Sequence, residues 1–293
     1  MVFILEQFFT ALSKGGIYAS LALALVMTYK ATGHVNFAQG EMATLSTFLA
    51  WSLVTSGVPY WLAMLITVAV SGVFGLSLER LSVRPFRQRS PTVIVTVSVG
   101  LFIALNSLCG WIWGYEARPF PSPFSDAHLE VVQGVRIRWH AVGAIAVSTC
   151  MLGLMFVFFR FTKAGLAMRG AASNQASSRL LGINVDRVMG AGWAVSAMVG
   201  AVAGMMMAPF TFLDPHMMAG PLIFFFAAAL LGGISSPLGA VVGGYSIAFF
   251  ELIVANALPS GNELRTTFAL LVIVLILLLR PHGILGQVTA KRV

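Results

Sequence analysis

The sequence predicts an all-α, polytopic helical membrane protein of eight to nine spans, some of them broken or re-entrant, and three observations predict it. Of the 293 residues, 58% are hydrophobic and only 10% charged, against about 25% charged in an average soluble domain. Apolar stretches close to the roughly 20 residues that cross a bilayer recur along the chain. The charges that remain are sorted by sign between alternate connecting segments. A soluble enzyme is excluded on composition. The net charge of +8 therefore reads as a topology signal and not as a nucleic-acid surface. Cys109 and Cys150 both fall in apolar stretches, so a disulfide framework and a Cys-x-x-Cys metal or redox site are absent from the expectation.

The elements follow in chain order. Met1–Thr10 carries Glu6 in place of a basic segment, and the apolar stretch after Lys14 has no small-residue cleavage pattern, so the first span is expected to be retained. Val2–Ser13 is expected as an interfacial or partly inserted helix ahead of it. The spans are Gly15–Tyr29, Ala38–Ser56, Tyr60–Leu78, Pro91–Trp113, Ala141–Phe159, Val188–Phe212, Pro221–Ala257 and Leu264–Leu279. Pro221–Ala257 is too long for one crossing. The run Gly232-Gly233-Ile234-Ser235-Ser236-Pro237 interrupts helical hydrogen bonding there, which predicts two shorter helices with the break at Gly232, Gly233 and Pro237.

Lys and Arg set the orientation. One group of connecting segments holds Lys30, Arg80, Arg84, Arg87, Arg89, Arg160, Lys163, Arg169, Arg179, Arg187, Arg280, Lys291 and Arg292. The other holds Lys14, Arg118, Arg136, Arg138 and Arg265 together with Glu116, Asp126, Glu130, Asp214 and Glu263. The first group is assigned to the cytoplasm, which puts the carboxyl terminus inside. The whole chain, 1–293, then reads as one transmembrane domain with two long connections. Residues 114–140 form an external loop in which Leu129–Trp139 alternates around a Gly134 turn as a short hairpin. Residues 161–187 form a cytoplasmic loop whose small-residue run, Gly170 to Ser178, reads as a short helix stopped by Gly182.

Phosphate-binding, nucleophile-elbow, zinc-protease and dinucleotide motifs are all missing, so the chain itself is not expected to hydrolyse ATP or to carry a cofactor. His34, His128, His140, His216 and His282 are too scattered for a metal site. Ionisable residues inside spans are costly and so are functional candidates; Glu41 and Glu251 qualify. Glu41 reads either as a helix-start carboxylate or as part of a pathway, and Glu251 as an interhelical hydrogen-bonding group or a functional one. No Arg or Lys is expected within a span to pair with either, which disfavours a charge-relay antiporter. Gly200-x-x-x-Gly204 and Gly239-x-x-x-Gly243 fit close helix packing.

Four blocks carry a family resemblance. They are Gly16–Leu25 continuing to Asn36-Phe37-Ala38-Gln39-Gly40-Glu41, Arg179-Leu180-Leu181-Gly182-Ile183-Asn184-Val185-Asp186-Arg187, Leu231-Gly232-Gly233-Ile234-Ser235-Ser236-Pro237-Leu238-Gly239-Ala240, and Arg280-Pro281-His282-Gly283-Ile284-Leu285-Gly286. In this order the chain resembles the branched-chain amino acid ABC importer permeases, the LivH-like half of the LivH/LivM family. The resemblance implies an importer-type permease in the bacterial inner membrane, surrounded by lipid. Its implied partners are a second homologous permease, two ATP-binding cassette ATPases and a periplasmic substrate-binding protein, with no nucleic acid. It also implies that the loop before the sixth span docks on the ATPase, which carries Arg169, Ala172, Ser173, Asn174, Gln175, Arg179, Leu181 and Gly182 into the coupling contact. Ser173-Asn174-Gln175 is uncharged where family members carry an acidic residue, so shape complementarity is the expected basis of docking. Asn36, Gln39, Glu41 and Asn106 are the polar candidates for the translocation pathway.

Two other classes compete. A secondary transporter or facilitative channel for a small neutral solute, such as urea or a short amide, fits the broken helices and sparse charge. A non-transporting scaffold subunit fits the small-residue interfaces.

Overall fold

The computed structural model describes residues 2–86, 89–125, 127–132, 135–258 and 261–286. The chain is helical nearly throughout. In order, the elements are α1 (Val2–Thr32), α2 (Gln39–Thr55), α3 (Tyr60–Leu78), α4 (Pro91–Trp113), the strands β1 (His128–Val132) and β2 (Val135–Arg138), α5 (Trp139–Phe161), α6 (Lys163–Ser173), α7 (Gln175–Leu180), α8 (Val185–Thr211), α9 (Ala219–Gly232), α10 (Pro237–Ala257) and α11 (Gly261–Leu279). Among the described residues, six helical segments are long and apolar enough to cross a membrane: Val2–Thr32, Tyr60–Phe86, Thr92–Trp113, Trp139–Phe161, Val185–Thr211 and Pro237–Ala257. The apolar α9 is shorter. The fold is that of an all-α polytopic membrane protein.

The chain forms two compact units, one of Met27–Pro123 and Ser148–Ala219 and the other of Met1–Val26, Phe124–Val147 and Gly220–Val293. In the first unit α8 is the central post. Its alanines and glycines let neighbouring backbones approach without side chains between them. A Cβ on Gly75 of α3 would stand 2.6 Å from the Trp193 carbonyl oxygen, and one on Gly200 would stand 2.8 Å from Gln39 Nε2. Across these contacts Ser71 Oγ donates to Ser46 Oγ at 2.7 Å, tying α3 to α2. By contrast α5 leaves Leu154, Phe156 and Val157 exposed, as a lipid-facing helix does. α3 runs on through a π turn, Glu79–Val83, and a 3-10 turn, Arg84–Phe86.

In the second unit α1 packs on α10, where Gly244 brings the backbone against Ala19. The antiparallel strands β1 and β2 pair His128 with Arg138 and Leu129 with Ile137. This is the expected hairpin, although Trp139 opens α5 instead of ending β2. The expected turn residue Gly134 lies outside the described residues, as do Lys291 and Arg292.

Three expectations about the elements need correction. The segment Val2–Ser13 is helical as expected, but it is continuous with the first span in α1 and not a helix ahead of it, because no Gly or Pro interrupts hydrogen bonding before Gly15. The last helix begins at Gly261, ahead of the expected Leu264. The 161–187 loop holds two helices where one was expected, for a reason given below.

Candidate functional site

The loop assigned to coupling is built by a chain of caps. Thr162 Oγ1 accepts from Gly165 N at 3.0 Å and starts α6. Asn174 both ends α6, its N–H donating to the Gly170 carbonyl at 3.1 Å, and starts α7, its Oδ1 accepting from Ser177 N at 3.0 Å. One residue with extended backbone thereby splits the single expected helix into two. Gly182, at φ +78°, turns the chain out of α7, a left-handed conformation that glycine adopts without penalty. Asn184 Oδ1 then caps α8 by accepting from Arg187 N at 3.0 Å.

Met168 and Ala171 fasten α6 to Val188 of α8. The outward surface carries Arg169, Ala172, Asn174, Arg179 and Gly182, beside Leu166, Leu180 and Leu181 at 62%, 89% and 80% exposure. Three exposed leucines in a segment that also exposes two arginines, on short capped helices, suit a surface that another protein covers. Leu166 and Leu180 were not among the expected residues of this surface; for Leu180 the signal was there in the Arg179-Leu180-Leu181-Gly182 run, where leucines sit too near a helix stop to reach a core. Nothing is described of the side chains of Ser173 and Gln175. Replacing Asn174 by Ala is expected to cost about 1 kcal/mol of local stability, seen as faster hydrogen exchange at the α7 amides with α8 unchanged.

The four pathway candidates separate into two kinds. Asn36 is committed locally, its Oδ1 accepting from Ala38 N at 3.0 Å and its amide facing Met42 Sδ at 3.5 Å. Gln39 is a packing tie, since Ser196 Oγ donates to its Oε1 at 2.7 Å and its Nε2 donates to the Ser196 carbonyl at 3.3 Å. Glu41 and Asn106 do come together. Asn106 Nδ2 donates to Glu41 Oε2 at 3.2 Å and to the Pro215 carbonyl at 2.7 Å, and stands 3.3 Å from His216 Nδ1. Glu41 is in the first turn of α2, as expected, where a carboxylate complements the helix dipole. That turn, however, is not near an end of the bundle. Gln39 meets Ser196 and Gly200, which lie about 16–22 Å along α8 from Val185 at 1.5 Å per residue. The turn ahead of α2 therefore carries a helix start deep into the unit.

The break after α9 is as expected. Gly233 adopts φ +103°, and Ser236 Oγ accepts from Gly239 N at 3.0 Å to start α10 with Pro237 in its first turn. The chain after α11 packs on this break: Ile284 N donates to the Leu231 carbonyl at 2.8 Å and Leu285 N to the Gly232 carbonyl at 3.0 Å. Two of the four sequence blocks thus form one structural feature.

Glu251 is the main correction. It was expected to have no cation beside it, yet Lys14 Nζ stands at 2.9 Å and Arg265 Nη1 at 3.1 Å, and Tyr18 Oη donates to it at 2.8 Å. The reason is the extension of α1 and α11, which brings both cations out of the expected connecting segments and into helical turns facing α10.

A family model described as the permease component of the branched-chain amino acid transport system matches residues 7–277. The chain is 30% identical to the high-affinity branched-chain amino acid transport system permease protein LivH of Escherichia coli (strain K12), over 100% of this chain and 98% of that one. It is 27% identical to the corresponding protein BraD of Pseudomonas aeruginosa, over 99% and 98%. A probable branched-chain amino acid transport permease protein LivH of Methanocaldococcus jannaschii is also 27% identical, over 94% and 90%. A multi-pass helical bundle matched from end to end by transport permeases is a transport component and not an enzyme. The chain belongs to the permease family of the branched-chain amino acid transport system, as a membrane-embedded subunit of an ABC importer.

Proposed function

We propose that this chain is half of the translocation pathway of an ATP-driven importer for branched-chain or related amino acids in the bacterial inner membrane. Its partners are a second homologous permease, two cytoplasmic ATPases and a periplasmic substrate-binding protein. The observation that carries this reading is the full-length match to a branched-chain amino acid permease at 30% identity. Energy enters through residues 161–187 on the cytoplasmic side, where α6 and α7 offer an exposed leucine and arginine surface that a cleft on an ATPase can grip. Because α6 is packed on α8 through Met168 and Ala171, a push on the loop is transmitted to the central post of its unit. Glu41 and Asn106 contribute polar groups to the pathway, and Gln39 and Asn36 hold the start of α2 in position. Residues 114–140 face outside, toward the binding protein, and the Gly232, Gly233 and Pro237 break is the inward turn between the shorter α9 and the crossing helix α10.

The test is reconstitution in vesicles. The complete complex is expected to accumulate leucine only with ATP on the ATPase side, and the isolated chain is expected to accumulate nothing under a proton or sodium gradient. Gradient-driven uptake by the chain alone would overturn the reading. Within the complex, a charged pair introduced as Ala172→Glu with Ser173→Lys is expected to lower uptake about tenfold while the ATPases still hydrolyse ATP, since burying unmatched charge in a docking cleft costs more than 1.4 kcal/mol. Unchanged coupling would remove the docking assignment.

A further inference from the structure

The contacts of Asn106 do not balance. Its Nδ2 donates to the Pro215 carbonyl at 2.7 Å and to Glu41 Oε2 at 3.2 Å, and stands 3.3 Å from His216 Nδ1, which is a third acceptor in the tautomer that carries its proton on Nε2. The Pro215 carbonyl oxygen only accepts, which fixes the amide nitrogen, and not its oxygen, toward it. A primary amide has two N–H groups, so in that tautomer one of the three acceptors is left without a donor. The carboxylate is also uncompensated in charge. Glu41 is 1% exposed, and among the described residues no Lys or Arg pairs with it, a costly state for a carboxylate in an apolar bundle. The acceptors are held from two independent elements, Glu41 on α2 and Pro215 with His216 in the turn after α8, which Asp214 Oδ1 fixes by accepting from His216 N at 2.6 Å, while Asn106 reaches them from α4.

An ammonium group meets every demand that the amide fails. It has three N–H donors for three acceptors, and one positive charge for the carboxylate. The three groups also grade from surface to interior, with His216 exposed, Asn106 half-buried and Glu41 buried.

We infer that the Glu41, Pro215 and His216 acceptors form a primary-ammonium subsite in which the Asn106 amide stands as an internal substitute, displaced when a transported amine arrives. The inference rests on the amino acid importer reading and names which end of the zwitterion this permease holds. Rotation of Asn106 out of the acceptor set is the price of occupancy, so the site is weak when resting and releases its guest readily, as a conduit requires.

The experiment uses thiol chemistry. With Cys109 and Cys150 both replaced by Ala, Asn106→Cys puts a thiol at the amide position of the full chain, assembled with its partners in vesicles. Two methanethiosulfonate reagents of similar size are compared, one with an ammonium head and one with a sulfonate head. The cationic reagent is expected to react about tenfold faster, from attraction by one nearby buried carboxylate. Methylammonium is expected to slow it, and tetramethylammonium, sodium and potassium, which donate no N–H, to have no effect. Adding Glu41→Gln removes the preference and the protection together, and Glu41→Asp retains them in part. A second measurement needs no variant: methylammonium raises the melting midpoint of the unaltered chain and tetramethylammonium does not. Equal reagent rates, protection by potassium or tetramethylammonium, or a thiol that never reacts would each overturn the subsite. The importer reading is judged separately by ATP-driven uptake in the unaltered complex; uptake without ammonium preference sinks the subsite alone, and ammonium preference without uptake sinks the reading of transport.

Discussion

Glu251→Ala is expected to lower the stability of its unit by about 3 kcal/mol, the lower end of the 3–5 kcal/mol typical when one partner of a buried ion pair is removed. The lower end applies because the Arg265 side chain is 42% exposed and can turn to solvent, whereas the Lys14 side chain is only 21% exposed. Removal of the carboxylate leaves Lys14 Nζ, Arg265 Nη1 and Tyr18 Oη, at 2.9, 3.1 and 2.8 Å from its oxygens, pointing at an empty space, with two like charges facing across it. The cluster ties α1, α10 and α11 together, so its loss is expected to loosen all three. Lys14→Met should cost less, about 1–2 kcal/mol, because Arg265 and Tyr18 still satisfy the carboxylate. The pair Lys14→Met with Glu251→Leu should recover part of the single loss, since a matched apolar replacement leaves fewer orphaned charges. Melting midpoints of the purified chain in one detergent check the order, and a Glu251→Ala midpoint equal to the parent's would show the cluster to be idle.

Gly239→Val should be the most damaging single change at the α9–α10 turn, at about 3 kcal/mol or more. Gly232 and Gly239 face each other backbone to backbone, and Gly243 approaches the Ala228 carbonyl in the same way. Overpacking against a flexible side chain is relieved by a rotamer change, but here the neighbouring atoms are backbone and the two helices must separate. Gly233→Val combines this with conformational strain, because its φ of +103° disfavours any β-branched residue. A Cβ there would also stand 2.5 Å from Gly286 N and 2.8 Å from the His282 carbonyl, so the chain after α11 would be displaced. Gly220→Ala is the control, since a Cβ at that position meets nothing within 4 Å. The expected outcome is loss of folded protein from membranes for Gly239→Val and Gly233→Val, with Gly220→Ala at the parent's level.

The spans were legible because each follows a short-range rule. Hydrophobic length gave α2 through α5 and α8 to within a few residues, and Gly232–Pro237 announced the break through backbone chemistry that needs no neighbours. The residues that misled are those whose partners are distant in the chain. Lys14 and Arg265 look like connecting-segment charges until a carboxylate more than 200 residues from the first of them is seen beside both. Asn36, Gln39, Glu41 and Asn106 were chosen alike as polar groups in apolar surroundings, yet the first two are hydrogen-bonded within the packing whereas the last two meet each other. Only contacts with Ser196 on α8 and with the Pro215 turn separate the roles, and no local pattern encodes those pairings. Asn174 shows the opposite case. Its capacity to end one helix and begin the next is a local property, hidden because the flanking small residues read equally well as a single helix.

The central claim is that this permease is worked from the cytoplasmic side through α6 and α7. Its most direct test is the reactivity of a thiol at Leu181→Cys, a position 80% exposed in the chain alone, in oriented vesicles carrying the permease pair with and without its ATPases. The thiol is expected to react with a membrane-impermeant reagent applied to the cytoplasmic face only, and to be protected when the ATPases assemble. Reaction from the external face, or equal reaction with and without the ATPases, would contradict the account.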